Sequence, residues 1–142
     1  MRLKGLQRKV STWAKELEDG GWPLSVDHTD FHHDNAVVQA DGRIVVFDWV
    51  EAVLSSPFFS LDELLWRIGE RADEVRDAYL DALPWQTRAR RERALELGAR
   101  LSTVKNAYNY EVFWEAFGRP GGSAVSVDMF VRDSLPRWES EV

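Results

Sequence analysis

Leu3, Leu6, Val10, Trp13 and Leu17 recur at intervals of three and four, the spacing that gathers apolar side chains on one face of a helix. Gly20 and Gly21 end this helix, and Pro23 follows. Residues 24–28 read as extended and lead into a polar run, HTDFHHDN, at 28–35. Two β-rich runs come next, AVVQ and RIVVFD, separated by residues 40–43. Asp41-Gly42 between them is a strong hairpin signal, because a type I′ turn needs positive φ at both central residues. A second helix opens at Ser60, with Glu63 completing a capping box, and its stripe of Leu61, Leu64, Leu65, Ile68, Val75, Tyr79 and Ala82 runs on to Pro84. Leu97, Leu101, Val104 and Tyr108 mark a third helix continuing towards Phe117; GRPGGS at 118–123 is a loop, and Val127, Val131, Leu135 and Trp138 suggest a last helix. The pattern predicts a mainly helical α+β chain in the order helix, polar loop, hairpin, then three helices.

Composition narrows what such a chain does. With 142 residues, 44% hydrophobic and 30% charged, it has the size and balance of a single globular domain over 1–142. A net charge of -6 repels phosphate backbones and anionic membrane surfaces, so neither nucleic acid nor a membrane is an expected partner. The basic start MRLKGLQRK resembles the beginning of a signal peptide, but no apolar run follows it, and no segment approaches the roughly 18 apolar residues that span a bilayer. Zero cysteines exclude disulfides and thiolate-metal sites and fit a cytoplasmic protein. Of the seven tryptophans, Trp66, Trp85, Trp114 and Trp138 lie in helical stretches and are expected in the core. The Arg88 to Arg93 cluster, broken by Glu92, reads as a solvated face.

The candidate chemistry sits in residues 28–35, which hold all three histidines of the chain together with Asp30, Asp34 and Asn35. A two-residue turn at Asp41-Gly42 would pair Ala40 with Arg43, Val38 with Val45 and Ala36 with Phe47, and would set Asn35 opposite Asp48. Directly opposed residues have Cβ atoms about 4.5 to 5.5 Å apart, so an amide oxygen and a carboxylate would converge at the open end of the hairpin. Such a pair suits magnesium, which takes oxygen ligands and fills its other positions with water or substrate phosphates. Asp30 enters the same end and can face the ion without binding it. Two other readings stand beside this one. Asp48 can simply cap the next segment, and His28, Asp30 and His32 could together hold a zinc ion of a metal-dependent hydrolase.

HTDFHHDN followed by VVFDW resembles the catalytic loop and metal-binding segment of aminoglycoside phosphotransferase-like small-molecule kinases, including choline-kinase-type enzymes, which share the protein-kinase fold. His28, Asp30, His32, Asn35, Asp48 and Trp49 match the family pattern HGDxHxxN, hairpin, apolar run, AspTrp in type and spacing. The resemblance implies that Asp30 accepts and orients the substrate hydroxyl, that Asn35 and Asp48 hold magnesium on the phosphates of ATP or GTP, and that His28 braces the loop. His32 could neighbour the transferred phosphate as a catalytic group, or stand as a surface hydrogen-bonder. Three positions depart from the pattern: Thr29 stands in place of the usual Gly, His33-Asp34 in place of a common ProGly, and Ser60 where many members carry Asp.

The resemblance covers residues 24–62 most specifically and points to the C-terminal lobe of that fold, with the hairpin carrying the metal site. Such kinases also use an N-terminal lobe whose glycine-rich loop covers the phosphates and whose lysine contacts them. The lysines here, Lys4, Lys9, Lys15 and Lys105, all fall in helical stretches, and GRPGGS has neither a preceding strand nor a GlyLys ending. We therefore expect a lobe that is inactive alone and is completed by an N-terminal lobe or a replacement partner; a non-catalytic, partner-binding or self-associating remnant is the other possibility. Asp27, Asp34, Glu51, Asp62 and Glu63 would favour a cationic hydroxyl acceptor, or are solvated surface acids.

Overall fold

The computed structural model describes residues 2–116, together with Gly118 and Arg132. The suggested last helix and the 118–123 loop, Gly118 apart, lie outside the described residues. Helix α1 (Arg2–Asp19) follows the predicted stripe and buries Leu6, Trp13 and Leu17. It ends where the glycines predict: the Gly20 and Gly21 amides donate to the Leu17 and Glu18 carbonyls, and Gly21 takes φ +65°. Strand β1 (Ser25–Asp27) comes next, then the hairpin of β2 (Ala36–Val38) and β3 (Ile44–Val46).

The hairpin exists, but its register is not the predicted one. Ala36 pairs with Val46, Val37 with Val45 and Val38 with Ile44. The Gln39 amide donates to the Arg43 carbonyl at 2.8 Å and the Gly42 amide to the Gln39 carbonyl at 2.9 Å, so Ala40, Asp41 and Gly42 form a three-residue loop. The reason lies in Asp41, whose carboxylate accepts the Arg43 amide at 3.1 Å and the Arg43 guanidinium at 2.7 Å. That local bond holds Asp41 in an ordinary conformation and leaves positive φ to Gly42 alone, at +84°.

A strand at β4 (Val53–Ser55), which the hydrophobic pattern did not reveal, pairs antiparallel with β1 and sets Asp27 against Val53. Helix α2 (Ser60–Ile68) opens at Ser60 as expected, yet no side-chain bond caps it from the preceding residue, and the Ser60 hydroxyl is directed at Asp27 instead. The stripe read as one helix is two: Gly69, with φ +56° and ψ −113°, breaks it through a 3₁₀ turn before α3 (Ala72–Ala82). Glycine reaches that backbone geometry without a Cβ penalty, and the i, i+3, i+4 count cannot register the break.

Helix α4 (Arg88–Ala116) lies against α1 and crosses the other helices. Phe58 is fully buried beneath it, and a Cβ on Gly98 would fall 2.6 Å from the Phe58 carbonyl oxygen, so only glycine permits this approach. Leu97 and Leu101 are buried as predicted, whereas Val104 and Tyr108 face solvent. From residue 102 the inward face of α4 turns polar: Ser102 donates to Asp62 and Lys105 to Asp27. Arg88 reaches Asp77 and Asp81 on α3, and Arg93 grips Glu16 on α1, so the arginine cluster ties helices together rather than only facing water. Trp85 lies in the bend between α3 and α4 at 37% exposure, not in a helix; Trp13 and Trp22 supply aromatic packing instead. Among the described residues no helix is long and apolar enough to cross a membrane.

Candidate functional site

The loop between β1 and β2 is held from below. His28 is buried, its Nε2 lies 2.8 Å from the Phe47 carbonyl, and its ring stands 4.6 Å from that of Trp49. A carbonyl accepts only, so Nε2 carries the proton; the histidine pins the loop to the end of β3, the bracing role expected of it. Its Nδ1 is buried without a hydrogen-bond partner, and His28 does not fall in the one group of histidine and carboxylate atoms among the described residues that lie close enough to share an ion. Among the described residues that group is His32, His33 and Asp34.

Thr29 takes φ +65°, a left-handed conformation that costs a β-branched residue on the order of 1–3 kcal/mol. Two bonds hold it there: its amide donates to Asp27 Oδ1 at 3.1 Å and its hydroxyl to the Glu51 carbonyl at 3.1 Å. The chain thereby turns Asp30 outward, its side chain about half exposed. Asn35 is buried and donates its amide nitrogen to the Asp30 carbonyl at 3.0 Å and to Asp30 Oδ2 at 3.1 Å. His32 Nδ1 accepts the Asp34 amide, which leaves the proton on Nε2, 3.3 Å from Asp30 Oδ2. Two donors therefore fix one oxygen of Asp30 and leave Oδ1 for another partner.

Asn35 and Asp48 are not cross-strand partners. The Phe47 amide donates to the Asn35 carbonyl at 3.0 Å, so Phe47 occupies the place expected of Asp48. Asp48 follows in a left-handed conformation, φ 63° and ψ 54°, as the chain leaves the ladder for a 3₁₀ turn at Trp49–Glu51. Asparagine and aspartate tolerate that region better than other side chains. Glu51 keeps an exposed face, yet the protein packed about its carboxyl, followed by repulsion from Asp30 and Asp48, raises its pKa. Three carboxylates thus share one field at the open end of the hairpin. Beside them lies a cleft of about 260 Å³, bounded by Thr29, Asp30 and Glu51 on one side and by Arg67, Asn106, Asn109 and Tyr110 on the other. Sequence reading missed the α4 contribution, because polar residues on a long amphipathic helix carry no mark that separates a cleft wall from a solvated face.

Asp27, which the sequence leaves open between a partner for a cationic acceptor and a solvated surface acid, is buried. Burial alone would raise its pKa, but the Ser60 hydroxyl, Lys105 and the Thr29 amide outweigh that and hold it below the ordinary carboxylate value. A carboxyl depressed on folding stabilises the native state fully above its unfolded pKa and loses that contribution as pH falls through the folded value. The urea midpoint of the wild type should therefore fall more steeply with acid than that of Asp27→Asn, with the divergence confined below about pH 4. Parallel curves down to pH 3 would contradict this assignment.

The loop, the hairpin end and the start of α2 all lie inside residues 2–95, which match the model of the phosphotransferase enzyme family. No curated protein and no solved structure matches the chain. The matched segment covers more than half of the sequence and contains the whole run that resembles aminoglycoside phosphotransferase-like kinases; the chain belongs to the phosphotransferase enzyme family.

Proposed function

We propose that the chain is the C-terminal, catalytic and substrate-binding lobe of a small-molecule kinase, which transfers the terminal phosphate of ATP or GTP to a hydroxyl group. The observation that carries this reading is the geometry at Asp30: Asn35 and His32 hold its Oδ2, and the residue lines a cleft of about 260 Å³, room for a small acceptor. Asp30 Oδ1 accepts a hydrogen bond from the acceptor hydroxyl and orients its oxygen towards the γ-phosphorus. As the new P–O bond forms and the bond to the leaving nucleoside diphosphate breaks, the hydroxyl proton passes to Asp30. A carboxylate is far too weak a base to remove an alcohol proton beforehand, so orientation followed by late acceptance is its role.

Asn35 and Asp48 would hold magnesium. The donor set fits a hard cation: with its nitrogen bonded to Asp30, Asn35 offers Oδ1, and Asp48 adds an exposed carboxylate at the same end of the hairpin. When bound, the ion neutralises charge developing on the phosphates. The acceptor is a small molecule bearing a hydroxyl; the amides of Asn106 and Asn109 suit further hydroxyls, and Asp30 with Glu51 suits a cationic group. Use of a nucleoside triphosphate and the absence of cysteine fit a cytoplasmic enzyme.

A glycine-rich cover for the nucleotide is not found among the described residues, and we propose that further polypeptide supplies it. The exposed apolar residues of the hairpin, Val37, Val38, Ile44 and Phe47, form a surface for that lobe, for a replacement partner, or for self-association in a non-catalytic remnant. Titration of the chain with magnesium and ATP, followed by backbone NMR, tests the reading. Signals of Asn35 and Asp48 should shift together, only when both ligands are present, and the shifts should vanish in Asp48→Ala. Signals indifferent to magnesium and ATP would favour the non-catalytic remnant.

A further inference from the structure

Asp27 is absent from the motif that marks the family, yet more of the site's geometry converges on it than on any other carboxylate described. Its side chain has 0% exposure, an environment in which an uncompensated carboxylate is strongly disfavoured. Four donors compensate it. Oδ1 accepts the Thr29 amide at 3.1 Å and the Ser60 hydroxyl, while Oδ2 accepts the Ser55 hydroxyl at 2.9 Å and the Lys105 ammonium at 3.0 Å. These donors come from the 28–35 loop, the start of α2, strand β4 and helix α4, so one carboxylate locks four segments together. Lys105 lies beyond the matched residues 2–95, and its side chain is itself 12% exposed.

The bond to Thr29 is the informative one. A left-handed threonine persists only where its surroundings impose that conformation, and φ at residue 29 sets where Asp30 points. The Glu51 carbonyl holds the Thr29 side chain, and Asp27 holds its backbone. We infer that Asp27 is a positioning residue, a buried clamp that fixes the strained Thr29 backbone so that Asp30 faces the cleft in reach of Asn35 and His32. This inference rests on the reading of Asp30 as the group that orients the acceptor.

Amide hydrogen exchange and side-chain NMR of the 142-residue chain separate the clamp from a purely structural role. In Asp27→Ala the Thr29 amide should exchange about 10-fold faster relative to the Leu97 amide, the loss expected for a bond to a charged acceptor. Asp27→Asn keeps an acceptor oxygen and should restore part of that protection. The Asn35 side-chain amide signals, which report its bond to Asp30, should move in Asp27→Ala and return towards wild type in Asp27→Asn. Leu80→Ala, a core cut in α3 remote from the loop, should change global stability and leave both local readouts in place. Should Asp27→Ala fail to fold, Asp27→Asn alone decides, with faster Thr29 exchange and displaced Asn35 signals expected. Thr29 exchange that only tracks Leu97, or Asn35 signals that stay put, would overturn the clamp. A wild-type chain indifferent to magnesium and ATP would instead remove the phosphotransfer reading, and the exchange measurement would still decide the clamp.

Discussion

Replacing Asp30 by asparagine should lower the rate of phosphoryl transfer by about 10²–10⁴-fold, the range for loss of a positioned acid-base group, while the denaturation midpoint stays close to wild type. The stability side follows from exposure: about half of the Asp30 side chain faces solvent, so the isosteric change removes little buried contact. The rate side follows from the donors around it. Asn35 Nδ2 and the protonated Nε2 of His32 both point at Asp30 Oδ2, so an asparagine there must turn its own oxygen towards them. Its amide nitrogen is then left facing the acceptor. A donor meets the acceptor hydroxyl where an acceptor is needed, and neither orientation nor late proton capture survives. The measurement compares turnover of the active assembly with the same nucleotide and acceptor for both proteins. Turnover within threefold of wild type would remove Asp30 from the mechanism.

The parts of this arrangement legible in the sequence are those written in spacing. The loop residues were found because they sit within eight positions of one another, and α1 because five apolar residues keep helical period. The hairpin was visible in Asp41-Gly42, but its register was not: whether aspartate adopts positive φ depends on what its carboxylate bonds, and Arg43 offered a nearer partner than the type I′ turn required. That single choice moved Phe47 into the place opposite Asn35. Asp27 escaped for a different reason. In β1 the outward residue is Val26 and the inward one is Asp27, the reverse of the usual alternation, so a reading that takes apolar as inward places both on the wrong side. Three of its four partners lie 28, 33 and 78 residues away, and no local pattern joins them.

The largest effect on stability is expected at Phe58. Phe58→Ala should cost about 3–5 kcal/mol, the range for truncating a buried aromatic, against a total of roughly 5–15 kcal/mol for a protein of this kind. The side chain is fully buried, and Trp22 packs edge-on to it with ring centroids 4.9 Å apart and planes at 82°. Above it Gly98 brings the α4 backbone so near that the site cannot close by a small shift of the helix, because the Phe58 carbonyl already fills the gap. A cavity is therefore left rather than repacked. Ser60, which bonds Asp27, lies two residues on, so loosening this point should also release the loop that carries Asp30. Ile44→Ala removes half as many side-chain carbons, from a hairpin position that is 68% exposed, and should cost no more than about 0.5 kcal/mol. Urea denaturation of the two variants alongside wild type reads the difference. Equal losses, or less than about 1 kcal/mol at Phe58, would mean that α4 does not rest on this residue.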